Sequence, residues 1–159
     1  MKDYKPKNSS IKIHSNTNNE PREQIEQFQY LNPIDKPVPK DWLTIEENFI
    51  LFLVVNVPLI APDFLASPDS KFNDGHMLMI FIKEGAKKTE LLQMFSETET
   101  GKHLDSPLVE FVKIKAFRLE PQPYMQQSDG VLMVDGERVP YGNIQGEIMP
   151  SCANILANY

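Results

Sequence analysis

Phe49 to Val55 is an unbroken apolar run, Phe-Ile-Leu-Phe-Leu-Val-Val, held between Asn48 and Asn56. Five of its seven residues are aromatic or β-branched, and no polar residue gives it an outer face. Such a run predicts a strand buried on both faces, which demands layers above and below it. His76 to Ile82 reads as a second strand of the same kind, entered from a turn at Asp74-Gly75. Between them Pro58, Pro62 and Pro68 recur, so Ile60 to Ala66 is expected to form at most a short helical turn.

The period then changes. Over Lys87 to Thr100, Leu91, Met94, Phe95 and Thr98 share one face at helical spacing, with Lys88, Glu90, Glu97 and Glu99 mostly elsewhere. Gly101 is placed to end this helix, and Lys102 and His103 follow where cations suit the carbonyl end of the dipole. From Val109 to Glu120, Val112, Ile114 and Ala116 alternate with Lys113 and Lys115, and Phe117 and Leu119 continue in the opposite phase. A bulge or bend near Ala116 reconciles the two phases. Val131 to Val134 and Arg138 to Tyr141 flank a tight turn at Asp135-Gly136; Asn143 to Met149 and Ala153 to Leu156 add further strands. The fold class expected is mainly β: an antiparallel β-sandwich or open barrel with one amphipathic helix laid on it.

Residues 1–40 differ in kind. Their apolar side chains stand isolated among Asn, Ser, Lys, Gln and Pro, too few to offset the entropy of ordering. Residues 1–40 are therefore expected to be a disordered linker or tail, with at most a transient helix over Glu23 to Tyr30. Residues 41–159 form the folded part. Its nine basic and seventeen acidic side chains disfavour nucleic acid, which needs a basic stripe. The single Cys152 excludes an internal disulfide. The Met-Lys-Asp-Tyr-Lys start carries no secretory signal, and no apolar stretch is long enough to span a bilayer. A cytoplasmic chain is expected.

Taken alone, the residues offer little chemistry. The sequence holds no phosphate-binding loop ending in Lys-Ser/Thr, no cysteine pair for zinc and no nucleophile elbow. Cys152 reads as an incidental thiol, His14 as a tail residue, His76 as a strand-edge residue and His103 as a helix-end cation. Ser128-Asp129-Gly130 and Val134-Asp135-Gly136-Glu137 are two glycine turns that are hairpins in their simplest reading. Acidic residues on both sides of Gly136 repel a bare phosphate and suit a ribose, an amine or Mg²⁺ better.

An ordered series of segments goes further. Pro39 to Glu46 reads Pro-Lys-Asp-Trp-Leu-Thr-Ile-Glu, and Lys71-Phe72-Asn73-Asp74-Gly75 follows. Then come Leu91-Leu92 with Phe95, Gly101-Lys102-His103 and the distinctive Ala116-Phe117-Arg118-Leu119-Glu120-Pro121. Val134-Asp135-Gly136-Glu137, Tyr141-Gly142, Gln145 and Pro150 complete the set. Over residues 37–156 this series resembles the sphingosine kinases, lipid kinases that phosphorylate long-chain bases. Val-Asp-Gly-Glu is shared with diacylglycerol and ceramide kinases, whereas the Ala-Phe-Arg-Leu-Glu-Pro string resembles the sphingosine branch.

The resemblance implies a C-terminal β-sandwich that closes a cleft against an N-terminal nucleotide-binding domain. It implies ATP and Mg²⁺ as cofactors, held mainly by that N-terminal domain. Asp135, Gly136 and Glu137 would close over the nucleotide; Ile60, Phe64, Ile80, Met94, Phe95 and His103 would line the lipid pocket, with His103 neutral beside the alkyl tail. Phe64 and Met94 depart in type from the family pattern. The Ser-Gly-Asp-Gly motif, whose aspartate takes the proton of the lipid hydroxyl, is absent from the 159 residues. No catalytic residue and no metal ligand is therefore assigned, and the chain alone is expected to be inactive. Partners implied are sphingosine or a related long-chain base, the N-terminal kinase domain and, transiently, a membrane surface to which the chain is peripherally recruited. A sandwich short of its first strands exposes edges, so a homodimer or aggregation is also expected. Two alternatives stand beside this: a non-catalytic lipid-binding or regulatory protein, and a fragment of a ceramide or diacylglycerol kinase.

Overall fold

The computed structural model describes residues 9–14, 28–122, 130–150 and 152. In chain order the strands are β1 (Ser9–His14), β2 (Leu43–Glu47), β3 (Phe49–Val55), β4 (Leu59–Ala61), β5 (Phe64–Leu65) and β6 (Met77–Lys83). Helix α1 (Lys88–Ser96) follows with two 3-10 turns, Thr98–Thr100 and Lys102–Asp105. β7 (Glu110–Ile114), β8 (Ala116–Glu120), β9 (Met133–Val134), β10 (Glu137–Arg138) and β11 (Ile144–Glu147) complete the order. Two sheets carry the fold, one ordered β11-β8-β1-β2 and one ordered β3-β6-β7, with β4-β5 and β9-β10 as hairpins. Every pairing is antiparallel.

The two sheets face each other across one apolar cluster. Met77, Met79, Phe81 and Ile114 of the three-stranded sheet meet Leu119 of the four-stranded one, joined by Ile45, Phe52, Phe117 and Ile144. The Phe52 and Phe117 rings bridge the layers at 5.9 Å. A second cluster lies on the outer face of the three-stranded sheet, where Val55, Leu78, Ile80 and Ile82 are covered by Met94 of α1 together with Ala66 and Val109. β6 is thus the strand buried on both faces, with every residue from Met77 to Ile82 buried. β3, read from its sequence as doubly buried, is a sheet edge among the described residues and mostly half-buried, because β6 takes the centre.

The phase change near Ala116 is a change of sheet rather than a bulge within one. Ile114 pairs with Met77 in one sheet, and two residues later Ala116 pairs with Glu147 in the other. Lys115 alone makes the crossing, so alternation resets there, as the sequence pattern required. Gly146 faces Phe117 across the β8-β11 ladder, and an added Cβ would stand 2.7 Å from the Phe117 ring. The ring lies where a side chain at position 146 would be.

Three local expectations are corrected. Residues 9–14 are strand β1, inserted between β2 and β8, whereas residues 1–40 read as linker; pairing on both sides supplies the order that the segment cannot supply itself. Ile60 to Ala66 is a β-hairpin rather than a turn of helix, with Pro62-Asp63 at its tip. The helix ends at Ser96 rather than Thr100. Ser96, Thr98 and Thr100 each donate a hydroxyl hydrogen bond to the carbonyl three residues back, at 2.6, 2.8 and 3.1 Å. Those bonds compete for the carbonyls and tighten the chain into 3-10 geometry. Gly101 then closes the segment in the left-handed region, φ 73°. The expected strand at Ala153 to Leu156, the transient helix before Phe28 and the Ser128-Asp129 turn lie outside the described residues.

Candidate lipid-facing cluster and hairpin tip

β6 and α1 position the first set of candidate residues. Ile80 points from the outer face of β6 and is 2% exposed; Met94, in the last turn of α1, is 3% exposed in the same cluster. Phe64 of β5 packs against that cluster at its side. α1 is held at its start by Glu90, whose carboxylate accepts the Lys87 N–H at 3.0 Å.

His103 joins through Phe64. The two rings meet edge to face at 5.5 Å and 86°. His103 is 2% exposed, and neither Nδ1 nor Nε2 has a hydrogen-bond partner among the described residues. Burial without a partner disfavours the charged ring and pushes its pKa below the ordinary 6.5; the Ala66 backbone and the Glu97 carboxylate pull the other way. The backbone contact falls short of a hydrogen bond, so burial prevails and the ring is neutral at pH 7.

Ile60 and Phe95 lie outside the cluster, 42% and 45% exposed. Phe95 follows Met94 by a single residue, about 100° around the helix, which carries it out of the packed stripe. Its neighbour Leu92 is 70% exposed, so α1 keeps an apolar outer edge. Leu91 of the helical stripe completes the cluster with residues that the sequence did not single out for it: Leu51, Leu53, Leu78, Leu104 and Leu108. Their apolar character is plain in the sequence, but cannot be separated from ordinary core there. Beside Met94 and Leu108 opens a cleft of ≈ 520 Å³, rimmed by Glu90, Gln93, Glu97, Lys102, Asp105 and Ser106.

Asp135, Gly136 and Glu137 form the tip of the β9-β10 hairpin. Asp135 at φ 49° and Gly136 at φ 83° are both left-handed, as a two-residue turn of the primed type requires. All three are exposed, and neither carboxylate has a partner among the described residues. Two free carboxylates either side of a glycine supply hard oxygen donors of the kind Mg²⁺ takes together with nucleotide phosphates. No group of three such ligands occurs among the described residues. The tip therefore fits one side of a Mg²⁺–nucleotide site. Its root residue Leu132 packs in the inter-sheet cluster, whereas Ile80, Phe64 and Met94 pack on the opposite face of the three-stranded sheet. The two candidate sets are not in one site within this chain.

Arg118, part of the most distinctive string, has a place that sequence reasoning did not assign. It is 1% exposed and donates from Nε to Gln145 Oε1 at 2.8 Å, from Nη2 to the Asn32 and Pro33 carbonyls at 3.2 Å each, and from Nη1 to the Lys36 carbonyl. Gln145 adds a bond to the Asn32 carbonyl at 3.0 Å. Glu147 accepts the N–H groups of Gln29, Tyr30 and Leu31 at 2.7, 2.9 and 3.2 Å. Residues 29–36 are thereby strapped to β8 and β11.

Comparison with known proteins accords with these features. The family model described as the YegS C-terminal NAD kinase beta sandwich-like domain matches residues 22–157. Human sphingosine kinase 2 is 35% identical over 128 residues, covering 79% of this chain and 19% of that protein. Sphingosine kinase B of Dictyostelium discoideum is 37% identical over 124 residues, 77% of this chain and 16% of that protein. Rat sphingosine kinase 1 is 34% identical over 125 residues, 77% and 32% respectively. The chain thus spans a third or less of these relatives. Among the described residues no helix is long and apolar enough to cross a membrane. With its facing antiparallel sheets and single helix, the chain belongs to the family of YegS C-terminal NAD kinase beta sandwich-like domains and is a lipid kinase relative, similar to sphingosine kinases.

Proposed function

We propose that this chain is the lipid-binding part of a sphingosine kinase, an enzyme that transfers the γ-phosphate of ATP to the primary hydroxyl of a long-chain base. The observation that carries the reading is the apolar cluster under α1. There Phe64, Ile80 and Met94 converge beside a buried, neutral and unpartnered His103. An alkyl chain moved from water to such a surface gains about 0.8 kcal/mol per methylene, and flexible Met94 can yield to admit it.

Asp135 and Glu137 would face Mg²⁺–ATP from the hairpin tip, the ion neutralising charge as phosphoryl transfer proceeds. Transfer also needs a base for the lipid hydroxyl, and the 159 residues carry no Ser-Gly-Asp-Gly motif. The chain alone therefore does not phosphorylate sphingosine, and an N-terminal kinase domain supplies the rest of the site. The exposed Leu92 and Phe95 support transient contact with a membrane surface, and the exposed Ile50 and Phe111 on edge strands β3 and β7 support covering by that domain or by a second copy.

A transfer assay with Mg²⁺–ATP and sphingosine, run on the chain alone and then with a nucleotide-binding half of a sphingosine kinase, tests this. Activity only in the mixture is expected. Robust phosphorylation by the pure chain would overturn the division of labour. A non-catalytic lipid-binding protein and a ceramide or diacylglycerol kinase fragment are separated by the same mixture, the first giving no product and the second phosphorylating the neutral lipid instead.

A further inference from the structure

The sequence contains three Asp-Gly dipeptides, Asp74-Gly75, Asp129-Gly130 and Asp135-Gly136. Asp129 lies outside the described residues, and the fold treats the other two oppositely. Asp74 is half-buried with both carboxylate oxygens engaged, Oδ1 accepting the His76 N–H at 2.9 Å and Oδ2 the Lys71 N–H at 3.1 Å. Gly75 packs on Pro150, where an added Cβ would stand 3.3 Å from Pro150 Cγ. Asp135 and Gly136 are exposed, and the Asp135 carboxylate has no partner among the described residues. Nothing lies within 4 Å of the place a Cβ would take at Gly136, and its N–H meets no backbone carbonyl among the described residues.

We propose that Asp135 is a site of spontaneous isomerisation to isoaspartate, and that the product is a substrate for an S-adenosylmethionine-dependent carboxyl methyltransferase. In the first step the Gly136 backbone nitrogen attacks Cγ of the protonated Asp135 carboxyl. A C–N bond forms, the amide proton and the carboxyl hydroxyl leave together as water, and a cyclic imide remains. Water then adds to the imide carbonyl that came from the Asp135 main chain, and the original peptide C–N bond breaks. The chain now runs through Cβ and Cγ, leaving the α-carboxylate free. That carboxylate takes the methyl group of S-adenosylmethionine, whose sulfur keeps the electron pair of the broken C–S bond.

The attack needs the side chain to bring its carboxyl carbon to the next peptide nitrogen. The unheld carboxyl of Asp135 can turn through its rotamers to do so, and glycine leaves the nitrogen unscreened, having no Cβ. Asp74 also precedes a glycine, but it must give up two hydrogen bonds to move, and Gly75 is pressed against Pro150. Isomerisation adds one methylene to the main chain inside a turn of two residues. The hairpin has two residue pairs among the described residues, Val134 with Glu137 and Met133 with Arg138, so a lengthened turn undoes its register. The site does not depend on what the hairpin tip binds.

The full chain is held for weeks in mildly acidic buffer, folded and in guanidinium chloride, and after dilution is treated with an isoaspartyl methyltransferase and labelled S-adenosylmethionine. Asp129 and Asp135 share one tryptic peptide, so electron-transfer fragmentation assigns the isomer residue by residue. Isoaspartate is expected at Asp135 and not at Asp74 in the folded chain, and at both in denaturant. Asp135→Glu, which cannot close the same ring, should lose the signal at that position. Asp135→Asn, which expels ammonia in place of water, should gain it sooner. Amide exchange at Glu137 and Arg138 should quicken in the aged folded chain while β6 stays protected. A folded chain without isoaspartate at Asp135, or with as much at Asp74, overturns the site. Asp74 spared in denaturant as well overturns its protection by the two hydrogen bonds, and isoaspartate at Asp135 with unchanged exchange at Glu137 and Arg138 overturns the loss of register.

Discussion

Arg118 on β8 and Gln145 on β11 stand opposite each other in the ladder, and the Arg118 Nε donates to the Gln145 side-chain oxygen at 2.8 Å. The pair makes one unit that grips the carbonyls of Asn32, Pro33 and Lys36, so two neighbouring strands hold a segment more than 80 residues earlier. A charged donor buried among carbonyls is favourable only while every bond is made.

Arg118→Ala removes the fork: the Lys36 carbonyl loses its charged donor, and the Asn32 and Pro33 carbonyls keep only the Gln145 amide and the Lys36 N–H, respectively. It should lower stability by about 3 kcal/mol, and Arg118→Lys, which keeps charge but not the planar geometry, by somewhat less. Urea unfolding gives the loss. Limited proteolysis should show new cleavage within residues 28–40 in both variants, since the strap is what Arg118 holds.

Gly101 makes a second prediction. Its φ of 73° disfavours any side chain, and a Cβ there would stand 2.5 Å from Pro68 Cγ and 3.3 Å from Leu65. Gly101→Ala should cost more than about 1 kcal/mol, because strain and collision add. Gly136→Ala, at φ 83° with nothing within 4 Å, should cost only the strain, about 1 kcal/mol. Comparing the two midpoints isolates the packing of Pro68 against the 3-10 segment.

His103 gives the fold a pH dependence of definite sign. Its folded pKa lies below the unfolded 6.5, so between those values the unfolded chain binds more protons. The stability associated with the neutral ring is complete above pH 6.5 and is lost as pH falls through that window toward the folded pKa. Below the folded pKa the loss is complete. The phenyl ring introduced by His103→Phe cannot titrate, so the unfolding midpoint of that variant should lose this part of the slope between pH 7 and pH 5. An unchanged slope would contradict the buried neutral ring.

The sandwich was legible because β6 is apolar throughout, as a strand buried on both faces must be, because β8 alternates, and because the sheet change at Lys115 appears as a broken phase. The Asp135-Gly136 hairpin was legible from its two turn residues alone. β1 was not, since residues 9–14 gain their order from β2 and β8 on either side rather than from their own composition. The residues proposed to face the lipid were legible only through family resemblance. Ile80 and Met94 look like any core pair, and Phe95, beside Met94 in sequence, turns out to be 45% exposed. The early end of α1 follows from three hydroxyls bonding backward, a competition that apolar periodicity does not register.

The central claim is that the cluster of Phe64, Ile80, Met94 and His103 receives the tail of a long-chain base. Amide hydrogen exchange of the full chain, with and without sphingosine and with ceramide as control, tests it most directly. The account predicts slower exchange with sphingosine across β6, α1 and the 3-10 turns through Asp105, little change at the β9-β10 hairpin, and no such protection with ceramide. Protection confined to the hairpin, or none in a chain whose exchange shows it to be folded, would contradict it.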